Sequence, residues 1–182
     1  MFVIRIVEWF AVLWASIAML RFFLQRGGLH ISHPLAQWLH NLTQFIVAPA
    51  RKIIKPVAGW DMAIIAVVFF ILLLVQIIAW GFLSFARLHM FVVNYLYVIG
   101  SALLQLTQAT AYALIACLVI QMVLSFSDPY NSLSRTVNAV LRPFTKPFSM
   151  LRIGQFDFSG SLIFLALWLW VSIAVPYLRY KL

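Results

Sequence analysis

The chain has 182 residues, 65% of them hydrophobic and 9% charged, with a mean hydropathy of +1.02. Soluble domains carry about 25% charged residues, so a water-soluble globular domain is excluded and lipid must solvate much of the fold. Thirteen Lys and Arg against four acids give a net charge of +9; these cations fall in the gaps between apolar runs, a pattern of membrane topology and anionic headgroups that points away from nucleic acid.

The first apolar run, "WFAVLWASIAML", is short, but no small-residue cleavage pattern follows it and "RFFLQ" extends it. It predicts a retained span over about residues 4–24, with Arg5 pairing with Glu8 one turn on and Arg21 reaching back toward the headgroups. An amphipathic helix follows, with Pro34 in its first turn and Leu35, Trp38, Leu39, Leu42 and Ile46 on one face. Next comes a basic elbow, "FIVAPARKIIKP", holding Pro49, Arg51, Lys52, Lys55 and Pro56. Asp61 precedes a span over 62–83, interrupted by Gln76.

The third span is predicted over 99–125, with "FVVNYLYV" as a Tyr-rich interfacial extension. Its small-residue stretch "GSALLQLTQATA" reads as a helix-contact face, within one copy or between copies. Gln121 lies near its end. A second amphipathic helix carries Leu133, Val137, Val140, Leu141 and Phe144 on one face, with Asn131 as N-cap. A second elbow follows with Arg142, Pro143, Lys146, Pro147 and Arg152. Asp157 then leads into a span over 158–178, where Pro176 near the end makes a break cheap.

Nine cations lie on the two long connectors and four at the termini and middle connector, so the connectors are predicted cytoplasmic and both termini periplasmic. The chain reads as two copies of one unit, 1–85 and 86–182: span, amphipathic segment, elbow, Asp, span. Each unit holds two spans, so the copies point the same way and are parallel repeats. The fold class is an all-α membrane protein with four transmembrane helices in two such repeats. Each repeat adds an amphipathic helix, lying in the headgroup plane or re-entrant. Prolines 49, 56, 143 and 147 are expected to end or kink what precedes them.

Asp61 and Asp157 stand at repeat-equivalent helix starts, where a carboxylate caps orphan N–H groups; two such acids also suit a paired cation or proton site. Arg21 and Gln121 are likewise equivalent, fitting headgroup or carbonyl contacts or a polar lining between repeats. Gln76, Gln105, Thr107 and Gln108 suit interhelical hydrogen bonds. His33 and His40 are separated by ~10.5 Å of helical rise, too far to share one zinc ion. No metal, cofactor, phosphate loop or nucleophile triad is indicated.

The stretch "HPLAQWLHNLTQFIVAPARKIIKPVAGWD" resembles the recurring core of the YggT family of small bacterial membrane proteins. Pro49, Arg51, Lys52, Pro56, Gly59 and Asp61 carry the likeness. In the second copy Pro147, Gly154 and "DFS" fit, while the basic pair and second proline are missing. The resemblance implies an inner-membrane protein without enzymatic activity, acting in osmotic-shock tolerance or potassium homeostasis, as a small oligomeric conductance. The alternative it implies is an anchor or scaffold for cell-division or nucleoid-organising partners. In either case the bilayer and its anionic headgroups are partners, joined by further copies or a larger membrane complex.

Overall fold

The computed structural model describes residues 2–57, 59–86, 95–128, 130–153, 156–157 and 159–182, with side-chain surroundings outside 83–86 and 149–157. Among the described residues, seven α-helices run α1 (Phe2–Arg26), α2 (Pro34–Arg51), α3 (Met62–Ala86), α4 (Tyr95–Ser127), α5 (Ser132–Thr145), α6 (Ser159–Leu169) and α7 (Val175–Lys181). Among them, four helical stretches are long and apolar enough to cross a membrane: α1, α3, α4 and the continuous 159–181. The protein is multi-pass. Lipid offers no hydrogen-bond partner, so spans must satisfy their own backbone, as helices do.

The first span is longer than predicted at both ends. It closes with a Schellman motif: Gly28 takes φ +87°, Leu29 N–H donates to the Leu24 carbonyl at 3.0 Å, and Gly28 N–H to Gln25 at 3.2 Å. Tyr95 to Val98 are helical and continuous with the third span, while residues 91–94 of the expected interfacial extension lie outside the described residues. In the fourth span the helix runs through Pro176. The break expected there is replaced by a π-turn, Trp170–Ala174, in which Val175 N–H donates to the Trp170 carbonyl. That turn takes up the backbone mismatch a proline imposes on the turn before it.

The core forms where small residues let helices approach. Ala15 and Ala18 of α1 are fully buried, as is Ala109 of α4, and α1 packs on both α3 and α4. On α3, Ile64, Val68, Leu72 and Gln76 form one buried ridge at four-residue spacing. The contact face predicted in residues 100–111 lies inside the monomer, through Ser101, Ala102, Gln105 and Ala109. The 159–181 segment rests on α4, and α6 also touches α5.

The amphipathic helices divide differently from their sequence pattern. α2 buries Leu39, Thr43 and Val47 against the bundle, leaving Trp38, Leu42 and Ile46 exposed. Four-residue spacing selects a stripe that includes a threonine, because α1 offers a polar partner there. In α5, Leu133, Val137, Val140 and Leu141 pack on protein, while Phe144 stays exposed. The elbow prolines also act later than expected. α2 continues past Pro49 to Arg51 and α5 past Pro143 to Thr145, each tolerating the lost bond in its final turn. Pro56 lies in the loop and Pro147 in a 3₁₀ turn, Lys146–Leu151, ahead of the short hairpin Arg152–Ile153/Phe156–Asp157.

Gly27 marks the tightest junction between the halves. A Cβ there would meet Thr136 Cγ2, the Thr136 carbonyl and Val140 Cγ2, each at 2.8 Å. Gly27→Leu should therefore push α5 off the end of α1 and cost about 1–3 kcal/mol. Thermal unfolding in detergent should show the loss. An unchanged midpoint would mean this approach is not required.

Candidate functional site

The polar side chains of the bundle gather into two layers at opposite ends of α1. At its connector end, Arg21 is buried within the protein, 5% exposed. Its Nη1 donates to Thr43 Oγ1 at 2.6 Å, and its Nη2 donates to Gln44 Oε1 and approaches His40 Nδ1, both at 3.0 Å. All three partners lie on α2. The Thr43 hydroxyl passes its own hydrogen to the Leu39 carbonyl at 2.7 Å, so it can accept from Arg21. Deeper along α1, the Trp14 indole N–H donates to the Leu42 carbonyl at 3.4 Å. α2 is thus clamped beside the last turns of the span, over ~10.5 Å of its rise.

The layer continues into the elbow. Arg51 Nη1 donates to Gln44 Oε1 at 3.4 Å, so one amide oxygen bridges two guanidinium groups. Arg51 Nη2 forms a salt bridge with Asp61, the residue before α3. Between them the chain makes a tight turn in which Val57 and Trp60 exchange backbone hydrogen bonds, with Gly59 at φ +78°, a conformation that favours glycine. Trp60 packs its ring 5.3 Å from Phe22, and the Arg26 guanidinium sits 5.0 Å from the Trp60 centroid. The elbow is held to the end of α1 on both sides.

The other layer was missed by sequence reasoning. Glu8 does not pair with Arg5. It pairs with Arg179, 171 residues away, at 2.5 Å, and also accepts from Gln76 Nε2 at 3.1 Å. Gln76 Oε1 lies 3.4 Å from Arg179 Nη2 and 3.2 Å from Ser101 Oγ. All four spans contribute one residue. The available signal was that an ionisable group inside a span needs a partner, and the last span ends in two cations, Arg179 and Lys181.

Between the layers lie Val12, Ala15, Ala18, Met19, Val68 and Ala113, all buried and packed together. Along one flank of the α1–α4 seam runs a groove of about 550 Å³, lined by Ser16, Gln105, Gln108 and Tyr112 with Glu8 and Arg179 at one end. Gln105 is 3% exposed, and its Oε1 has no hydrogen-bond partner.

The remaining sequence candidates scatter. Gln121 Nε2 donates to Asn138 Oδ1 at 2.6 Å, tying α4 to α5. The expected alignment of the two amphipathic segments, Pro49 with Pro147, offsets them by 98 residues and sets Asn138 opposite His40, while Gln121 is set opposite Arg21. Both halves therefore clamp span to amphipathic helix at matching positions, one with a cation and one with amides. The backbone of Asp157 pairs with that of Arg152 in the hairpin; their side chains lie outside the described surroundings, as does Gly154 altogether. Lys52, Lys55, Arg142 and Lys146 are exposed and form no ion pair among the described residues. His33 caps α2 by accepting from Leu35 N–H at 3.2 Å, and His30 accepts from Ser32 N–H.

The clamp, glycine turn and Arg51–Asp61 bridge all lie within residues 1–83, and this segment matches the CCB3/YggT family model. The match spans a little under half of the chain. Neither the curated proteins nor the solved structures yield a match. Within the matched segment, Pro49, Arg51, Gly59 and Asp61 have physical tasks: Pro49 sits in the final turn of α2, Arg51 bridges the elbow, Gly59 turns it and Asp61 receives the bridge.

His40 reports on the clamp. Burial first, then the positive charges of Arg21 and Arg51, hold its pKa below the ordinary 6.5. When α2 undocks, His40 returns to about 6.5 and binds more protons than the docked state. Docking is therefore at full strength above about pH 6.5 and weakens as pH falls toward the docked value. A ring ¹⁵N titration should give a midpoint under 6.5, moving up in Arg21→Gln; a midpoint above 6.5 would contradict this environment.

At the opposite layer, Glu8→Gln or Arg179→Gln alone should cost about 2 kcal/mol, less than the ~3–5 kcal/mol of a fully buried pair because Arg179 is partly exposed. The double substitution should cost less than the two singles summed. Additive losses in thermal unfolding would mean the ion pair is not coupled.

Proposed function

We propose that this protein supports osmotic and potassium homeostasis of the bacterial inner membrane as a non-enzymatic anchor, not as a conductance of single chains. One observation carries the reading: the two polar layers are each held together by side chains of the bundle and separated by a packed apolar layer. A charge crossing that layer would shed its hydration without replacement, at a cost of several kcal/mol or more. The exposed cations Lys52, Lys55, Arg142 and Lys146 then become the working surface. On a cytoplasmic face each is worth ~1 kcal/mol against anionic lipid, and the same charges suit acidic segments of division or nucleoid partners.

A second reading is favoured by the flank groove. Gln105, Gln108, Ser16 and Tyr112 give it a polar wall at membrane depth, and a second copy set against it would enclose that wall as an oligomeric path.

Potassium flux from osmotically stepped proteoliposomes separates the readings. The anchor predicts no flux above empty vesicles. It also predicts that neutralising Lys52, Lys55, Arg142 and Lys146 together removes rescue of growth after osmotic shock. Protein-dependent flux abolished by Gln105→Leu/Gln108→Leu would replace the anchor with the oligomeric conductance.

A further inference from the structure

The connector-side layer of the first half is unbalanced in charge. Arg21 and Arg51 bring two positive charges and Asp61 brings one negative, leaving +1 with His40 neutral. Asp61 is engaged by Arg51, and the partners of Arg21 are a hydroxyl, an amide and an imidazole, none carrying negative charge. A guanidinium has five N–H donors in a planar fork. Three contacts are made here, which leaves two donors without acceptors among the described residues. A buried cation whose nearby carboxylate, Asp61, is already bridged to a second guanidinium is expensive. The arrangement asks for an anion.

A place for one exists. A pocket of about 150 Å³ lies between the end of α1 and α2, with Arg21, Arg51, His40 and Gln25 as its polar lining and Leu24 and Leu39 among its apolar lining. Sites for drug-sized ligands run to about 300–1,000 Å³; this one suits a single small polar group. Paired guanidinium forks match the oxygens of phosphate, and basic pockets between membrane helices take phosphate headgroups. We propose that this pocket binds one phosphate-class oxyanion, carried by an anionic lipid headgroup or by a free phosphate. The second half offers a contrast: Gln121 and Asn138 occupy the matching positions, and the pocket beside them has one guanidinium, Arg142, in its lining where the first half has two.

In its lipid form the inference deepens the anchor reading; in its free-phosphate form it stands apart from it. The test uses the purified full chain with ¹⁵N-labelled histidine. It is titrated with inorganic phosphate in zwitterionic detergent, then compared in phosphatidylcholine nanodiscs with and without phosphatidylglycerol. A saturable shift of the His40 ring signal is expected. Response to inorganic phosphate assigns the soluble source, and response to phosphatidylglycerol alone assigns the headgroup. Arg21→Gln should weaken the response at least about tenfold. Gln25→Glu, near-isosteric at an exposed position, sets a carboxylate in the pocket wall and should abolish it, whether or not Arg21→Gln folds. Arg135→Ala should leave the response within about twofold, because that exposed side chain does not line the pocket. No saturable shift with either probe, or a shift unchanged in Gln25→Glu, overturns the proposal. Either result leaves the anchor reading standing on its own growth assay.

Discussion

Burying Arg21 is the constraint around which the first half is arranged. A guanidinium one turn and a half inside a span has two ways to avoid hydrocarbon: reach out, or be met. This chain meets it. α2 returns along the end of α1 and presents His40, Thr43 and Gln44 at spacings that fall on one helical face. Once α2 is fixed in that position, Gln44 reaches Arg51, Arg51 reaches Asp61, and the start of α3 is determined. The sequence of the elbow then has little freedom left. It must turn tightly within ten residues, which Gly59 permits, and it must shield the end of α1, which Trp60 does.

Much of this was legible beforehand, for a physical reason. Span positions follow from hydropathy because the bilayer imposes a length, and the family likeness rested on elbow residues whose tasks are local. Contacts between distant segments were not legible. Arg21 read as a headgroup-seeking cation because the polar stripe on α2 was counted within an apolar helix, although Thr43 lies on the stripe that the fold buries. Glu8 was given Arg5 because sequence reasoning favours near partners. The actual partner is at the other terminus, brought close only by the fold of all four spans.

The two halves solve the same mechanical problem with different chemistry. Arg21 with His40 and Gln121 with Asn138 both fasten a span to an amphipathic helix. The amide pair is neutral and complete in itself, whereas the guanidinium version brings charge that must be answered nearby. The joint is made twice, with a cation in the first pair and none in the second. Such asymmetry gives an otherwise repetitive bundle a distinguishable first half.

The π-turn at Trp170–Ala174 has a geometric effect beyond accommodating Pro176. An α-helix advances about 100° of rotation per residue, so one extra residue within a turn rotates everything after it by that angle. Arg179 lies beyond the turn and Glu8 on another helix altogether. Whether that cation looks into the bundle or out to lipid is accordingly a matter of phase. The terminal charge is aimed by a counting irregularity nine residues upstream, and closure of the four spans is encoded in helical register as much as in the identity of the paired residues.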